Sequence, residues 1–97
     1  MADPIEPDAT QRVTLSGEFD ISTASSLRHA LYDDVGSEVV VGDLSEVTFM
    51  DSSGLRALLD VRAKLESDGR RLVLEGVPDQ VRRLFEVAGI SELFETR

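Results

Sequence analysis

Ninety-seven residues, 41% of them hydrophobic and 30% charged, are one domain's worth of chain, and no apolar run of membrane length and no signal-peptide pattern interrupts them. Ten Lys and Arg against nineteen Asp and Glu give a net charge of −9, which repels phosphate backbones and anionic surfaces; the expectation is a cytoplasmic protein with no nucleic-acid partner and no direct membrane binding. With no cysteine and a single histidine, His29, disulfides, thiolate metal sites and cysteine nucleophiles are excluded, and an enzyme is disfavoured.

Residues 1–10 carry Pro4, Pro7 and three acids without a sustained apolar period, so they read as a tail or weak edge strand ahead of a domain over 11–97. From Arg12, alternation places Val13 and Leu15 on one face of a short strand ended by Gly17, and Gly17-Glu18-Phe19-Asp20 reads as a loop. Ser22 or Thr23 caps a helix with Ala24, Leu27, Leu31 and Val35 at intervals of three and four, closed by Gly36. Val39-Val40-Val41, apolar on both faces, predicts a central parallel strand ending at Gly42-Asp43. Val47, Phe49 and Met50 lead into Asp51-Ser52-Ser53-Gly54, where a second helix begins with Leu55, Leu58, Leu59, Val61 and Leu65 inward and stops at Asp68-Gly69. Arg71–Glu75 is another strand. Val77-Pro78-Asp79 opens a third helix with Val81, Leu84, Phe85 and Ala88 inward and Gly89 beyond its end, and Ser91 caps a last short turn through Phe94. Strands alternating with helices predict one α/β layer structure, a sheet with helices packed against it.

In such a sheet the loops leaving the carboxyl ends of the strands share one rim, and two polar loops land there: 17–20 and 51–54. The serines of the second loop sit where free N–H groups and the positive helix end tolerate an added phosphate, and Gly54 removes bulk where another molecule would approach. The plainer reading is a helix cap, which accounts for Asp51 or Ser53 but not for two adjacent serines. Glu18, Asp20, Asp43 and Asp51 are candidates for a magnesium site or an acid–base pair, though solvated turn residues are commoner, and no metal site and no cofactor is expected. His29 falls at a surface or boundary position of the first helix with no Ser–His–acid constellation to join. Neither a Gly-x-Ser-x-Gly elbow nor a Gly-rich Lys-Ser/Thr loop is present. Leu55, Leu58 and Leu59 are mostly core, with part of that wide face left at the rim. A receiver domain with an acidic pocket needs a lysine there, and the single lysine, Lys64, lies well inside the second helix.

Three segments together, Leu15-Ser16-Gly17-Glu18-Phe19-Asp20, Asp43 through Leu55, and Val81-Arg82-Arg83-Leu84-Phe85 with Gly89, resemble the STAS domain of bacterial anti-sigma factor antagonists, from about Arg12 to Phe94. The resemblance implies a mixed, mainly parallel sheet packed on helices. It also implies a binding module, not an enzyme, that captures an anti-sigma factor and so releases a sigma factor. In that family the serine after the aspartate of Asp-Ser-Ser-Gly-Leu, here Ser52, accepts a phosphoryl group from a histidine-kinase-like anti-sigma serine kinase, and a metal-dependent serine phosphatase removes it. The partner-facing surface implied comprises Glu18, Phe19, Asp20, Asp51, Ser53, Gly54, Leu55 and Leu58. Phe19 stands where leucine is commoner, and Pro4 and Pro7 occupy the stretch where the family has a further strand. The alternative is a STAS docking subunit of a transporter or stress-signalling assembly without a phosphate cycle.

Overall fold

The computed structural model describes residues 10–32 and 37–97. In chain order these form β1 (Thr10–Phe19), α1 (Ala24–Tyr32), β2 (Val39–Met50), α2 (Ser52–Ser67), β3 (Arg71–Glu75), α3 (Asp79–Ala88), a 3-10 turn (Ser91–Leu93) and β4 (Glu95–Thr96). Spatial strand order equals chain order, β1-β2-β3-β4, and every described pairing is parallel. Each of β1, β2 and β3 is therefore followed by a helix that returns the chain to the same end of the sheet, which gathers the strands' carboxyl ends on one rim. Among the described residues no helix is long and apolar enough to cross a membrane.

Period-two alternation decides which side chains meet the helices. Leu15, Val40, Leu44, Leu72 and Leu74 point to one face, where they join Leu27 and Leu31 of α1, Leu58, Val61 and Leu65 of α2, and Val81 and Phe85 of α3 in a single core. Phe94 closes that core against Phe85, with ring centroids 5.1 Å apart. Of the inner positions expected on α3, Val81 and Phe85 are buried, Leu84 is half-buried and Ala88 is exposed. Gly89 ends this helix in the left-handed region at φ 73°, as its place in the sequence predicts.

The other sheet face is built differently. Arg12, Val41, Val73 and Glu95 lie in register across the four strands, and Val41 and Val73 are fully buried there. Arg12 reaches over β2 to pair with Glu75, Arg97 pairs with the same carboxylate, and Arg71 pairs with Glu95. Exposed pairs of this kind are each worth only about 0–1 kcal/mol, so their larger service is to lay aliphatic stems across apolar surface while the charged heads stay in water. The valine run thus faces cover on both sides, as a central parallel strand requires.

Two strands run further than alternation predicts. β2 continues past Gly42-Asp43 to Met50, and β1 continues through Gly17 to Phe19. The cause is a pair of register shifts, between Thr14 and Ser16 and between Gly17 and Glu18, each of which gives β2 one extra residue against β1. Apolar inward positions on β2 consequently fall three apart, at Leu44, Val47 and Met50, a spacing that hides the strand from a period-two reading. Gly42 does not end the strand: a Cβ there would stand 3.3 Å from Leu31 Cδ2, so its absence lets α1 pack close. The segment expected to be a tail or edge strand lies outside the described residues up to residue 9, as do Val35 and Gly36 at the expected end of the first helix.

Candidate functional site

At the rim, the ends of β1 and β2 are tied where α2 starts. The Asp51 N–H donates to the Phe19 carbonyl at 3.1 Å. On the other side Gln80, in the first turn of α3, does the work of a neighbouring strand: its Oε1 accepts from the Met50 N–H at 3.1 Å and its Nε2 donates to the Met50 carbonyl at 2.9 Å. Three elements therefore fix the backbone that presents Asp51 and Ser52.

Asp51 is the N-cap of α2, its Oδ1 accepting from the N–H groups of Ser53 at 2.8 Å and Gly54 at 3.4 Å. Capping is thereby assigned to the aspartate and not to Ser53. Ser52 occupies the first helical position, exposed, and Ser53 follows half-buried. Neither hydroxyl has a hydrogen-bond partner among the described residues. Asp51→Ala is expected to cost about 1 kcal/mol, lowering the melting temperature by about 4–8 °C in a domain of this size, which thermal unfolding followed by circular dichroism will read.

Gly54 serves the interior. A Cβ there would meet Met50 Cγ at 2.7 Å, the Phe19 carbonyl oxygen at 2.9 Å and Phe19 Cβ at 3.0 Å. The expectation that Gly54 makes room for another molecule is corrected accordingly: it makes room for β1 against α2. Gly54→Ala improves helix propensity by at most about 1 kcal/mol, while forcing backbone and core apart costs about 1–3 kcal/mol. Net destabilisation is the expected outcome in a denaturant titration, against the gain that an open glycine in a helix would give.

The turn after β1 is closed by its own side chains. Asp20 Oδ1 accepts from the Ser22 N–H at 2.9 Å and the Ser22 hydroxyl at 2.7 Å, while Thr23 Oγ1 accepts from the Asp20 N–H at 2.9 Å and donates to the Glu18 carbonyl at 2.9 Å. Both capping candidates ahead of α1 are thus in use. The hydroxyl and amide of Ser22 hold the Asp20 carboxyl below its ordinary range, and those of Ser45 do the same for Asp43. Asp20, Asp43 and Asp51 are each committed to a turn or cap, and among the described residues no three His, Cys, Asp or Glu side chains stand together as a metal cluster. Lys64 sits in the last turn of α2, its Nζ 4.9 Å from the centre of the Tyr32 ring. Thirteen helical residues at 1.5 Å each put it about 20 Å from Asp51, so the geometry of an acidic receiver pocket is absent among the described residues.

The partner-facing set divides by burial. Glu18 is exposed and Ser53, Asp51 and Asp20 are half-buried at the rim, but Phe19 is 6% exposed, Leu55 is buried and Leu58 is fully buried. Phe19 and Leu58 belong to the core between β1 and α2, which corrects the expectation of them as contact side chains. In their place the structure brings Ile21, 84% exposed, to the edge of an open cleft of about 480 Å³ between the starts of α1 and α2. Arg28, Ser52, Ser53, Arg56 and Leu59 also line it. Phe49, beside Glu18 in register, is a second exposed apolar side chain at this end. The sequence signal for Ile21 was an apolar residue between Asp20 and Ser22 that fits no core period. Arg28 is held by Asp60 through Nε at 3.1 Å and Nη2 at 2.9 Å, whereas Arg56 has no hydrogen-bond or ion-pair partner among the described residues. A second, smaller groove of about 280 Å³, which shares Arg28 with the first, is lined by His29, Tyr32 and Asp60 between the two helices.

Comparison with known proteins agrees with this fold. The family model described as "Mlab, STAS domain" matches residues 4–95. An anti-sigma-B factor antagonist of Listeria monocytogenes is 36% identical over 87 residues, covering 88% of this chain and 76% of that protein. The crystal structure of an anti-sigma factor antagonist from Mycobacterium paratuberculosis superposes with a TM-score of 0.77 at 29% identity, covering 92% of this chain and 77% of that one. A sulfate transporter family protein from Wolinella succinogenes shares the fold, with a TM-score of 0.74 at 23% identity over 91% of this chain and 80% of that one. Strand order, the aspartate-capped second helix and these relatives together establish that the chain belongs to the STAS domain family of anti-sigma factor antagonists.

Proposed function

We propose that this domain binds an anti-sigma factor of the histidine-kinase-like serine kinase type, frees the sigma factor held by it, and is released when Ser52 is phosphorylated. The observation that carries the reading is the state of Ser52. It is exposed at the rim, its hydroxyl is unengaged among the described residues, and Asp51 already performs the capping that would otherwise explain a serine there. Removing or modifying such a hydroxyl leaves the fold's own hydrogen bonds untouched. Partner contact falls to Ile21, Ser53, Leu55 and Leu59 lining the cleft and to the exposed Glu18 at the same rim, with Phe19, Gly54 and Leu58 shaping that surface from beneath. A metal-dependent serine phosphatase would restore the binding form. The domain needs no catalytic group of its own for this cycle.

Affinity capture from the source cell with wild-type, Ser52→Ala and Ser52→Glu baits tests the reading. A kinase-like anti-sigma factor on the first two baits and not the third supports it. One transporter or scaffold on all three replaces it with constitutive docking, the second use of this fold.

A further inference from the structure

We propose that Arg56 is the built-in counter-ion of phosphorylated Ser52, folding onto the phosphate and closing the mouth of the cleft beside it. The inference rests on the reading of Ser52 as the acceptor and adds what the modified state looks like. Residues four apart on a helix are neighbours on one face, with Cβ atoms about 5–6 Å apart, and Arg56 stands four residues after Ser52 on α2. Both line the same cleft.

Of the two arginines that line the cleft, Arg28 holds a carboxylate and Arg56 holds none among the described residues. Arg12, Arg28, Arg62, Arg71 and Arg97 each hold a carboxylate. The helical neighbour that would pair with Arg56 on its other side is Asp60, and Arg28 of α1 has taken it through two nitrogens. Asp51, the nearest acid before Ser52, turns its Oδ1 to the backbone N–H groups of Ser53 and Gly54. Glu18 and Asp20, flanking the Phe19 that binds Asp51, add negative charge at the same rim. Among the described residues a guanidinium without a partner is thus left four residues after the hydroxyl, in the favourable order with the anion N-terminal to the cation.

On transfer from a nucleoside triphosphate the Ser52 Oγ–P bond forms as the bridging β–γ P–O bond breaks, the hydroxyl proton leaves to a base of the kinase, and nucleoside diphosphate departs. The resulting dianion offers three acceptor oxygens to the planar fork of Arg56. The pair then covers part of the cleft that Ile21 and Leu59 also line, so partner exclusion comes from an ordered side chain as well as from added charge.

The test uses the 97-residue chain with phosphoserine installed at position 52 during synthesis, as wild type, Arg56→Gln, Arg56→Lys and Arg62→Gln, the last an arginine of the same helix that pairs with Glu66 and does not line the cleft, titrated by phosphorus NMR. The second phosphate pKa of wild type is expected about half a unit below that of Arg56→Gln, roughly threefold in proton affinity, with Arg56→Lys restoring most of the shift and Arg62→Gln leaving it in place. Equal values for wild type and Arg56→Gln, or loss of the shift in Arg62→Gln alone, overturn the assignment. Because the phosphate is installed synthetically, the titration reads the clamp whatever the kinase does, whereas a wrong acceptor assignment shows separately as missing label on Ser52 of the unmodified chain.

Discussion

Ser52→Glu is expected to lower affinity for the proposed anti-sigma partner by more than about a hundredfold while leaving the folded spectrum and melting point nearly unchanged. A like charge about 5 Å away costs roughly 3 kcal/mol at an effective dielectric of ~20, which is the stated factor wherever the partner presents an acid. Ser52 lies exposed at the first position of α2, where the helix dipole favours a negative charge by roughly 0.3–1 kcal/mol, so the fold tolerates the change. Ser52→Ala deletes a hydroxyl with no partner among the described residues and is expected to bind as wild type. Isothermal titration against the purified partner, with circular dichroism on the same samples, separates the two effects. Unfolding of the Glu variant would mark Ser52 as part of the scaffold instead.

Leu58→Ala does the reverse. This side chain is fully buried, in the core between α2 and the sheet, and truncating such a leucine costs about 2–5 kcal/mol out of a typical total of about 5–15 kcal/mol. A drop in melting temperature of more than about 10 °C is expected. Affinity per folded molecule should stay within about threefold, since no part of the side chain reaches the surface. Full stability combined with lost binding would return Leu58 to the contact surface from which its burial removes it.

These two variants show where the sequence was informative. The α/β class, the parallel sheet, α2 with its inward leucines and the glycine-ended α3 follow from periods of 2 and 3.6 and from caps, and each is found. What period counting missed has one physical origin, the double bulge against β1 that spaces Leu44, Val47 and Met50 three apart. Hidden by it were the last part of β2 and the strand character of Gly17 to Phe19, and with them the inward direction of Phe19. Site residues met a different limit. A polar residue at a helix start can cap, turn or wait for a partner, and only the structure assigns capping to Asp51 and leaves Ser52 unengaged among the described residues. Ile21 and Arg56 became visible when α1 and α2 were brought side by side, since neither belongs to a motif on its own chain segment.

Incubating the domain with the purified anti-sigma factor and nucleoside triphosphate, then mapping phosphate by mass spectrometry, meets the central claim most directly. The account predicts one phosphate, on Ser52, none on the Ser52→Ala variant, and loss of the complex as the label accumulates. Label on Ser53, undiminished label on Ser52→Ala, or a complex that survives full modification of Ser52 would contradict it.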